Sequence, residues 1–141
     1  MLRKAELAKE LSVIVSNEIG LLDRMSKHLA ERGINIEAIA GYEMEESGEA
    51  QIMMVVDNAR RAGDALEQQG FGSVTEHDII IVELDNRPGA LNTITSLLAH
   101  RGINVRYIYA TVSSEGSSVR VVLSTSDNER AFVTLKKSAV P

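Results

Sequence analysis

The chain repeats itself once, and the two copies align at one constant separation. AERGINIEAI at residues 30–39 corresponds to AHRGINVRYI at 99–108, and the four letters RGIN are identical in both. Upstream, SNEIGLLDRM at 16–25 corresponds to DNRPGALNTI at 85–94. One separation that holds without a gap indicates a tandem duplication, so each copy is a supersecondary unit of about 70 residues.

The hydrophobic pattern of the first copy predicts the element order β-α-β-β-α-β. Apolar residues recur at helical spacing in some segments and form short runs or alternate in others. In chain order we predict strand 11–15, helix 19–32, a strand from residue 34, a hairpin turn at Gly48, strand 51–57, a helix after Asp57 and Asn58, and strand 71–76. Four strands and two helices therefore complete one unit.

The second copy repeats this order but stops one strand early. We predict strand 79–84, helix 88–101, strand 103–113, a turn at Gly116, strand 118–125 and helix 127–137. The domain boundaries follow as an N-terminal extension at 1–10, a first domain at 11–76, and a second at 78–141 whose last strand is short or absent. Either the N-terminal segment or a second chain could cover the open sheet edge. We expect residues 2–9 to form a floppy or helical terminus.

The fold class that this order predicts is α+β. Split βαβ units form a four-stranded antiparallel sheet with both helices on one face. A unit this small buries little surface by itself. We therefore expect two ferredoxin-like βαββαβ units side by side, sharing one antiparallel sheet that also protects their edges.

Composition narrows the classes of function. The formal net charge is −5 and the pI is about 5.2, which argues against nucleic acid and anionic membrane surfaces as partners. The chain has no cysteine and no apolar run near the ~20 residues that a membrane span needs. Its first ten residues lack the apolar core of a signal peptide. A cytoplasmic protein is the expectation.

Catalytic chemistry has little support in the sequence. His28, His77 and His100 do not have metal-ligand spacing, and no serine lies in a nucleophile elbow. The carboxylates are spread along the chain as exposed charge. We therefore expect no enzyme, no metal and no cofactor.

The two glycine loops are the better candidates for a site. Pro88 suits a first helical position, but Gly89 one step later would cost roughly 1 kcal/mol inside a helix. Either a neighbouring strand or a ligand must then approach the backbone closely. A helix N-terminus attracts anions, so a carboxylate could dock at Gly89, while Asp85 and Asn86 could accept hydrogen bonds from an ammonium group.

The repeated RGIN segment supplies a second shared element. Gly33 and Gly102 are explained as helix C-caps. Asn35 and Asn104 each open the second strand of their unit, where asparagine is unfavourable. We expect each to face the glycine loop of the other unit. The alternative is that the asparagine satisfies local turn backbone.

These motifs resemble the ACT domain, a small regulatory module of amino-acid metabolism. DNRPGALNTITSLLAHRGINVRYIYA at 85–110 is the stronger copy and NEIGLLDRMSKHLAERGINIEAIA at 17–40 the weaker. The resemblance runs from about Leu11 to Lys137 and is closest to proteins made of two tandem ACT domains. It implies amino-acid binding at the interface between units, without catalysis. The residues that it implies are Asp85, Asn86, Arg87, Pro88, Gly89, Ala90 and Leu91 with Asn35 and Ile36, and Asn17, Gly20, Leu21 and Leu22 with Asn104 and Val105.

The resemblance also implies a regulatory subunit that acts in trans on a metabolic enzyme, with a homodimer as the expected assembly. Similar pairs often occur beside genes for other enzymes, including phenylacetate-CoA ligases. The first loop departs from the pattern, since Ser16, Glu18 and Ile19 replace Asp85, Arg87 and Pro88. We therefore favour the second loop as the occupied site.

Three other functions compete with an amino-acid sensor. A pure interaction module without a metabolite ligand is the main alternative. RNA binding would need aromatic side chains on the sheet, and few aromatic residues, chiefly Tyr42, Tyr107 and Tyr109, lie on predicted strands. An acetolactate synthase small subunit carries one ACT domain, so the internal repeat argues against it.

Overall fold

A computed structural model describes residues 1–112 and 116–140 of the chain. Its elements are β1 Leu2–Ser16, α1 Leu21–Glu31, β2 Ile36–Met44, β3 Glu49–Val56, α2 Ala59–Gln68, β4 Val74–Asp85, α3 Ala90–His100, β5 Val105–Val112, β6 Ser118–Thr125 and α4 Asn128–Ser138. The strands are hydrogen-bonded in the order β2-β3-β1-β4-β6-β5. This confirms the predicted α+β class with two βαββαβ patterns. Residue 113, predicted to end a strand, lies outside the described residues.

The chain forms two compact units. The N-terminal unit is Lys9–His77, and the C-terminal unit joins Met1–Ala8 to Asp78–Pro141. Both β1 and β4 contribute to both units, because each continues through a unit boundary. Residues 74–76 of the strand predicted at 71–76 therefore continue into the strand predicted at 79–84, whereas residues 71–73 precede β4. No loop separates the two predicted strands at His77.

The expectation of a floppy or helical N-terminus is wrong. Residues from Leu2 onward are extended and form the first half of β1. Leu2 and Ala5 are buried in the core of the C-terminal unit, and Val140 N donates to Leu2 O at 2.9 Å. The N-terminal segment thus contributes the strand that the second copy lacks.

Each unit has one hydrophobic core between its helices and its strands. In the N-terminal unit, Met25 and Leu29 of α1 and Leu66 of α2 are fully buried against β1 and β3. In the C-terminal unit, Ile94 and Leu98 of α3 pack with Leu135 of α4. Both helices of a unit therefore cover the same face of its strands. Among the described residues, no helix is both long and apolar enough to cross a bilayer.

The two units share an irregularity at the same aligned position. The pairing of β2 with β3 shifts register between Ile36 and Ala38. The pairing of β5 with β6 shifts between Val105 and Tyr107. Ile36 aligns with Val105 and Ala38 with Tyr107 in the repeat, so the duplication preserved the backbone of the edge strand in detail.

Candidate functional site

The glycine of each loop lies in a tight turn rather than inside a helix. Gly20 has φ 87° and ψ 3°, and Gly89 has φ 85° and ψ −8°. Ala90 N donates to Arg87 O at 3.1 Å, and Leu21 N donates to Glu18 O at 3.2 Å. These angles and bonds fit a type II turn, which requires positive φ at its third residue.

The expectation that Pro88 begins the helix is therefore wrong. Helix α3 begins at Ala90 with Gly89 as its N-cap. Pro88 occupies the second position of the turn, which its fixed φ also suits. A Cβ on Gly89 would meet no described atom within 4 Å, so close strand packing does not explain the glycine. The positive φ of Gly89 explains why a glycine is needed there, and the space above the turn is open.

The helices of each unit begin in two different ways. Asn58 and Asp127 cap α2 and α4, since their side chains accept hydrogen bonds from Arg61 N and Arg130 N. Within the described chain, no side chain caps α1 or α3. A helix start without a side-chain cap leaves backbone N–H groups for solvent or a ligand. The two loops that resemble ligand loops are thus the two that present such groups.

In the C-terminal unit, the predicted ammonium partner Asp85 already has a cation beside it. Arg3 Nε donates to Asp85 Oδ1 at 2.9 Å, and a second guanidinium nitrogen donates to Oδ2 at 3.3 Å. The hydrogen bond from Arg3, reinforced by its charge, lowers the pKa of Asp85 below its ordinary 3.8. Asn86 Nδ2 donates to Gly116 O at 2.8 Å. Both side chains therefore stabilise the loop in this structure.

In the N-terminal unit, the corresponding loop borders a groove of about 490 Å³. Its other wall is β2 from Ile39 to Glu43, and Ala50 and Ile52 of β3 form part of its floor. We call this the β2 groove. It is lined by Asn17, Glu18, Gly20, Leu21, Leu22, Asp23, Ile39, Ala40, Gly41, Tyr42, Glu43, Ala50 and Ile52.

The structure brings together all four loop residues that were predicted in this unit. Asn17, Gly20, Leu21 and Leu22 all line the β2 groove. The predictions missed its β2 wall. Gly41 was an available signal, because glycine inside a strand often marks a close approach. A Cβ there would lie 2.8 Å from Ile52 Cδ1.

The remaining predicted residues lie next to the second strand of each unit. Asn35 and Asn104 directly precede β2 and β5 and are exposed. Their backbones are tied locally, since Asp57 Oδ1 accepts from Asn35 N at 3.1 Å and Ser126 Oγ accepts from Asn104 N at 3.0 Å. Ile36 and Val105 pack partly against the cores. The proposed role of these residues in ligand binding stays a prediction.

Comparison with known proteins identifies the class of both units. Residues 11–69 match the model of the AHAS small subunit-like ACT domain, and residues 79–137 match the model of the ACT domain. The chain therefore belongs to the ACT domain family and carries two ACT domains in tandem. This confirms the resemblance drawn from the repeated motifs.

Solved structures with the same tandem arrangement include three informative examples. The protein BT0572 from Bacteroides thetaiotaomicron is 26% identical with a TM-score of 0.86, and the match covers 95% of this chain and 90% of that chain. The regulatory subunits of aspartate kinase from Thermus thermophilus and Thermus flavus are each 20% identical, with TM-scores of 0.71 and 0.69. The match to the Thermus thermophilus subunit covers 96% of this chain and 97% of that chain, and the match to the Thermus flavus subunit covers 97% of both. The two Thermus structures show that this chain shares their fold.

Proposed function

We propose that this protein is a non-catalytic sensor that binds a small amino acid through its ACT units and regulates a metabolic enzyme in trans. The observation that carries the proposal is the helix start at Gly89, where no described side chain caps α3. It presents backbone N–H groups and the positive end of a helix dipole to a carboxylate. The helix start at Gly20 is the weaker candidate, because Glu18 lies in its loop.

The regulatory role is supported by membership of the ACT domain family and by the fold shared with the Thermus structures. ACT domains commonly serve amino-acid metabolism, and the two Thermus neighbours are regulatory subunits of aspartate kinase. An amino acid that bridges two units would stabilise one relative arrangement and shift the population toward it. Typical coupling between such sites is about 1–3 kcal/mol. A cytoplasmic homodimer is part of the proposal.

The proposed ligand contacts keep the predicted sets. The Asp85–Leu91 loop would act with Asn35 and Ile36, and the Asn17–Leu22 loop with Asn104 and Val105. In the first set, the ligand ammonium would compete with Arg3 for Asp85 or use Asn86. The backbone N–H groups of Leu91 and Asn92 would donate to the carboxylate, since Ala90 N already donates to Arg87 O.

A calorimetric screen of the common amino acids tests the proposal. For any amino acid that binds, Gly89→Ala should weaken affinity about tenfold or more, because the Cβ shields the amides and distorts the turn. Gly102→Ala is the matched control at the other end of the same helix, since Gly102 also has positive φ and open space around a Cβ. It should lower stability similarly and leave affinity unchanged. Equal weakening by both variants would contradict the site.

One observation favours the interaction module as a second candidate. Leu22, Leu91, Ile39 and Ile108 are all 41–51% exposed, and they are two pairs related by the repeat. In the N-terminal unit, Leu22 and Ile39 line the same groove, and a contiguous exposed apolar surface is typical of a site that contacts a partner. A well-folded sample that binds no amino acid but forms a complex with a partner protein would support this candidate instead.

A further inference from the structure

The β2 groove has an acidic rim. Glu18, Asp23 and Glu43 line it and are exposed, and the described residues that line it include no Lys or Arg. Asn17 Nδ2 donates to Glu43 Oε2 at 2.7 Å, which holds that carboxylate at the rim. Arg24 adds one positive charge beside the loop, with its guanidinium near Gly20. The surroundings of the groove are therefore net negative.

The counterpart positions in the C-terminal unit carry one positive charge and no acid. Arg87, Asn92 and Val112 occupy the positions that align with the three acids of the rim. The first turn of α1 contains an acid, whereas the first turn of α3 contains none in its sequence. An acid in the first turn offsets the positive end of the helix dipole. The start of α1 is thus less favourable for an anion than the start of α3.

The interior of the groove is apolar. Leu22 and Ile39 are about half exposed and border it, and Ile52 lies beneath Gly41. The absence of a Cβ at Gly41 leaves room that Ile52 Cδ1 fills. A ligand that matches this surface has an apolar body and a positive charge that reaches the rim. A carboxylate beside Glu18 and Asp23 would be repelled.

We propose that the two units have diverged in ligand charge. The β2 groove binds an ammonium group on an apolar body, with no carboxylate at the rim. The loop after β4, which has Arg87 and an open helix start, binds the carboxylate of an amino acid. This inference rests on the proposed function and assigns each unit its own ligand class.

Three probes with the same branched body test the charge preference. They are 3-methylbutylamine, leucine and 4-methylpentanoate, titrated into uniformly ¹⁵N-labelled protein and followed by amide chemical shifts. The amine should cause saturable shifts at Gly20–Asp23 and Ile39–Glu43, with a Kd about tenfold below that of the carboxylate. Equal or tighter binding of 4-methylpentanoate in the groove overturns the proposal, and so does the absence of saturable shifts with the amine.

Charge variants then assign the preference to named residues. Glu18→Gln and Glu43→Gln should each weaken amine binding about two- to fivefold, the range for an exposed ion pair. Glu67→Gln removes the same charge from an exposed position on α2 and should change nothing. Glu18→Arg installs the residue of the other unit and should shift the preference toward the carboxylate. Unchanged amine affinity in both Glu18 variants overturns the assignment.

The same spectra separate this inference from the proposed function. Leucine shifts confined to Asn86–Leu91, without any amine shift in the groove, would preserve the sensor and overturn the divergence. If no common amino acid shifts either loop, the sensor proposal fails. The amine titration then still decides whether the groove binds a cation.

Discussion

The N-terminal and C-terminal units share the backbone of their glycine turns and edge strands but differ in exposed side chains there. Their glycine turns have nearly the same φ and ψ. Their edge strands shift register at aligned positions. Yet Glu18 occupies the position of Arg87, and Ile19 that of Pro88. A duplicated fold can thus keep its hydrogen bonding while a charge in its loop changes sign.

One cross-strand pair shows how the cores compensated for divergence. Gly41 pairs with Ile52 in the N-terminal unit, and Ala110 pairs with Val121 at the aligned position. A Cβ on Gly41 would overlap Ile52 Cδ1. The other unit has that Cβ and a valine, which has no Cδ1. The two pairs carry the same number of side-chain carbons, as close packing requires.

A second difference lies within β1. Glu10 is fully buried, and its aligned residue Ile79 is equally buried. His77 Nε2 lies 2.8 Å from Glu10 Oε1. A charged group can replace an apolar one inside a sheet when it gains a polar partner. The N-terminal unit therefore contains a polar contact where the C-terminal unit contains hydrocarbon.

The largest expected effect tests the origin of the closing strand. Leu2 is 1% exposed in the core of the C-terminal unit, so Leu2→Ala should destabilise the protein by about 3 kcal/mol. Hydrogen exchange should show the loss first in β4 after Asp78, β5 and β6. Leu7→Ala is the control, since Leu7 is 43% exposed in the same segment. Equal loss of protection in both units would contradict the assignment of this strand.

The next effect tests the equivalence of the glycine turns. Gly20→Ala and Gly89→Ala should each cost about 1–2 kcal/mol, because both glycines have left-handed backbone. Gly63→Ala is the control: Gly63 lies within α2, where a Cβ would make ordinary contact with Val74 at 3.7 Å. It should stabilise by about 0.5–1 kcal/mol. Urea unfolding measures all three, and a large difference between the two turn variants would break the equivalence.

A smaller effect is expected when the second residues of the two turns are exchanged. Ile19 is fully exposed and occupies the position of Pro88. Because proline suits the second residue of a type II turn, Ile19→Pro should stabilise by about 0.4–1 kcal/mol through the unfolded state. Pro88→Ile should destabilise by a similar amount, and thermal melts measure both variants. Destabilisation by Ile19→Pro would show that the first turn does not accept the geometry of the second.

The smallest effect concerns Asp85, where the first unit has Ser16. Arg3 lowers the pKa of Asp85 in the folded state, so this carboxylate stabilises the fold above its unfolded pKa. The contribution is lost as pH falls through the lowered folded value, below about 3.8. Asp85→Asn should therefore be less stable than the natural protein at pH 7, and the gap in urea midpoint should close in acid. Glu31→Gln, at an exposed carboxylate on α1, is the control, and an identical pH profile for it would contradict the role of Arg3.

Much of the fold could be read from the repeat. The constant separation of the two copies, the helical spacing of Met25 and Leu29, and the glycines after α1 and α3 predicted the element order and both ACT domains. These features succeed because they are local or repeated. The helix that ends just before Gly33 is recognised from that glycine alone.

The turn at Gly89 was harder to predict. Pro-Gly fits a helix start or a type II turn, and the hydrogen bond from Ala90 to Arg87 decides between them. The β2 groove was missed for a related reason. Its walls come from a loop and a strand with a whole helix between them in the chain, and only their packing brings them together.

The internal repeat is enough to show that the chain has two copies of one βαββαβ unit, and where their glycine loops lie. Only the packing of segments distant in the chain shows which strand closes the second copy and how its loop is held. A strand at the terminus has no local signal when its partner lies far along the chain, because pairing energy appears only after both strands meet. The same holds for Arg3 and Asp85, which lie 82 residues apart in the chain and pair only when their strands meet.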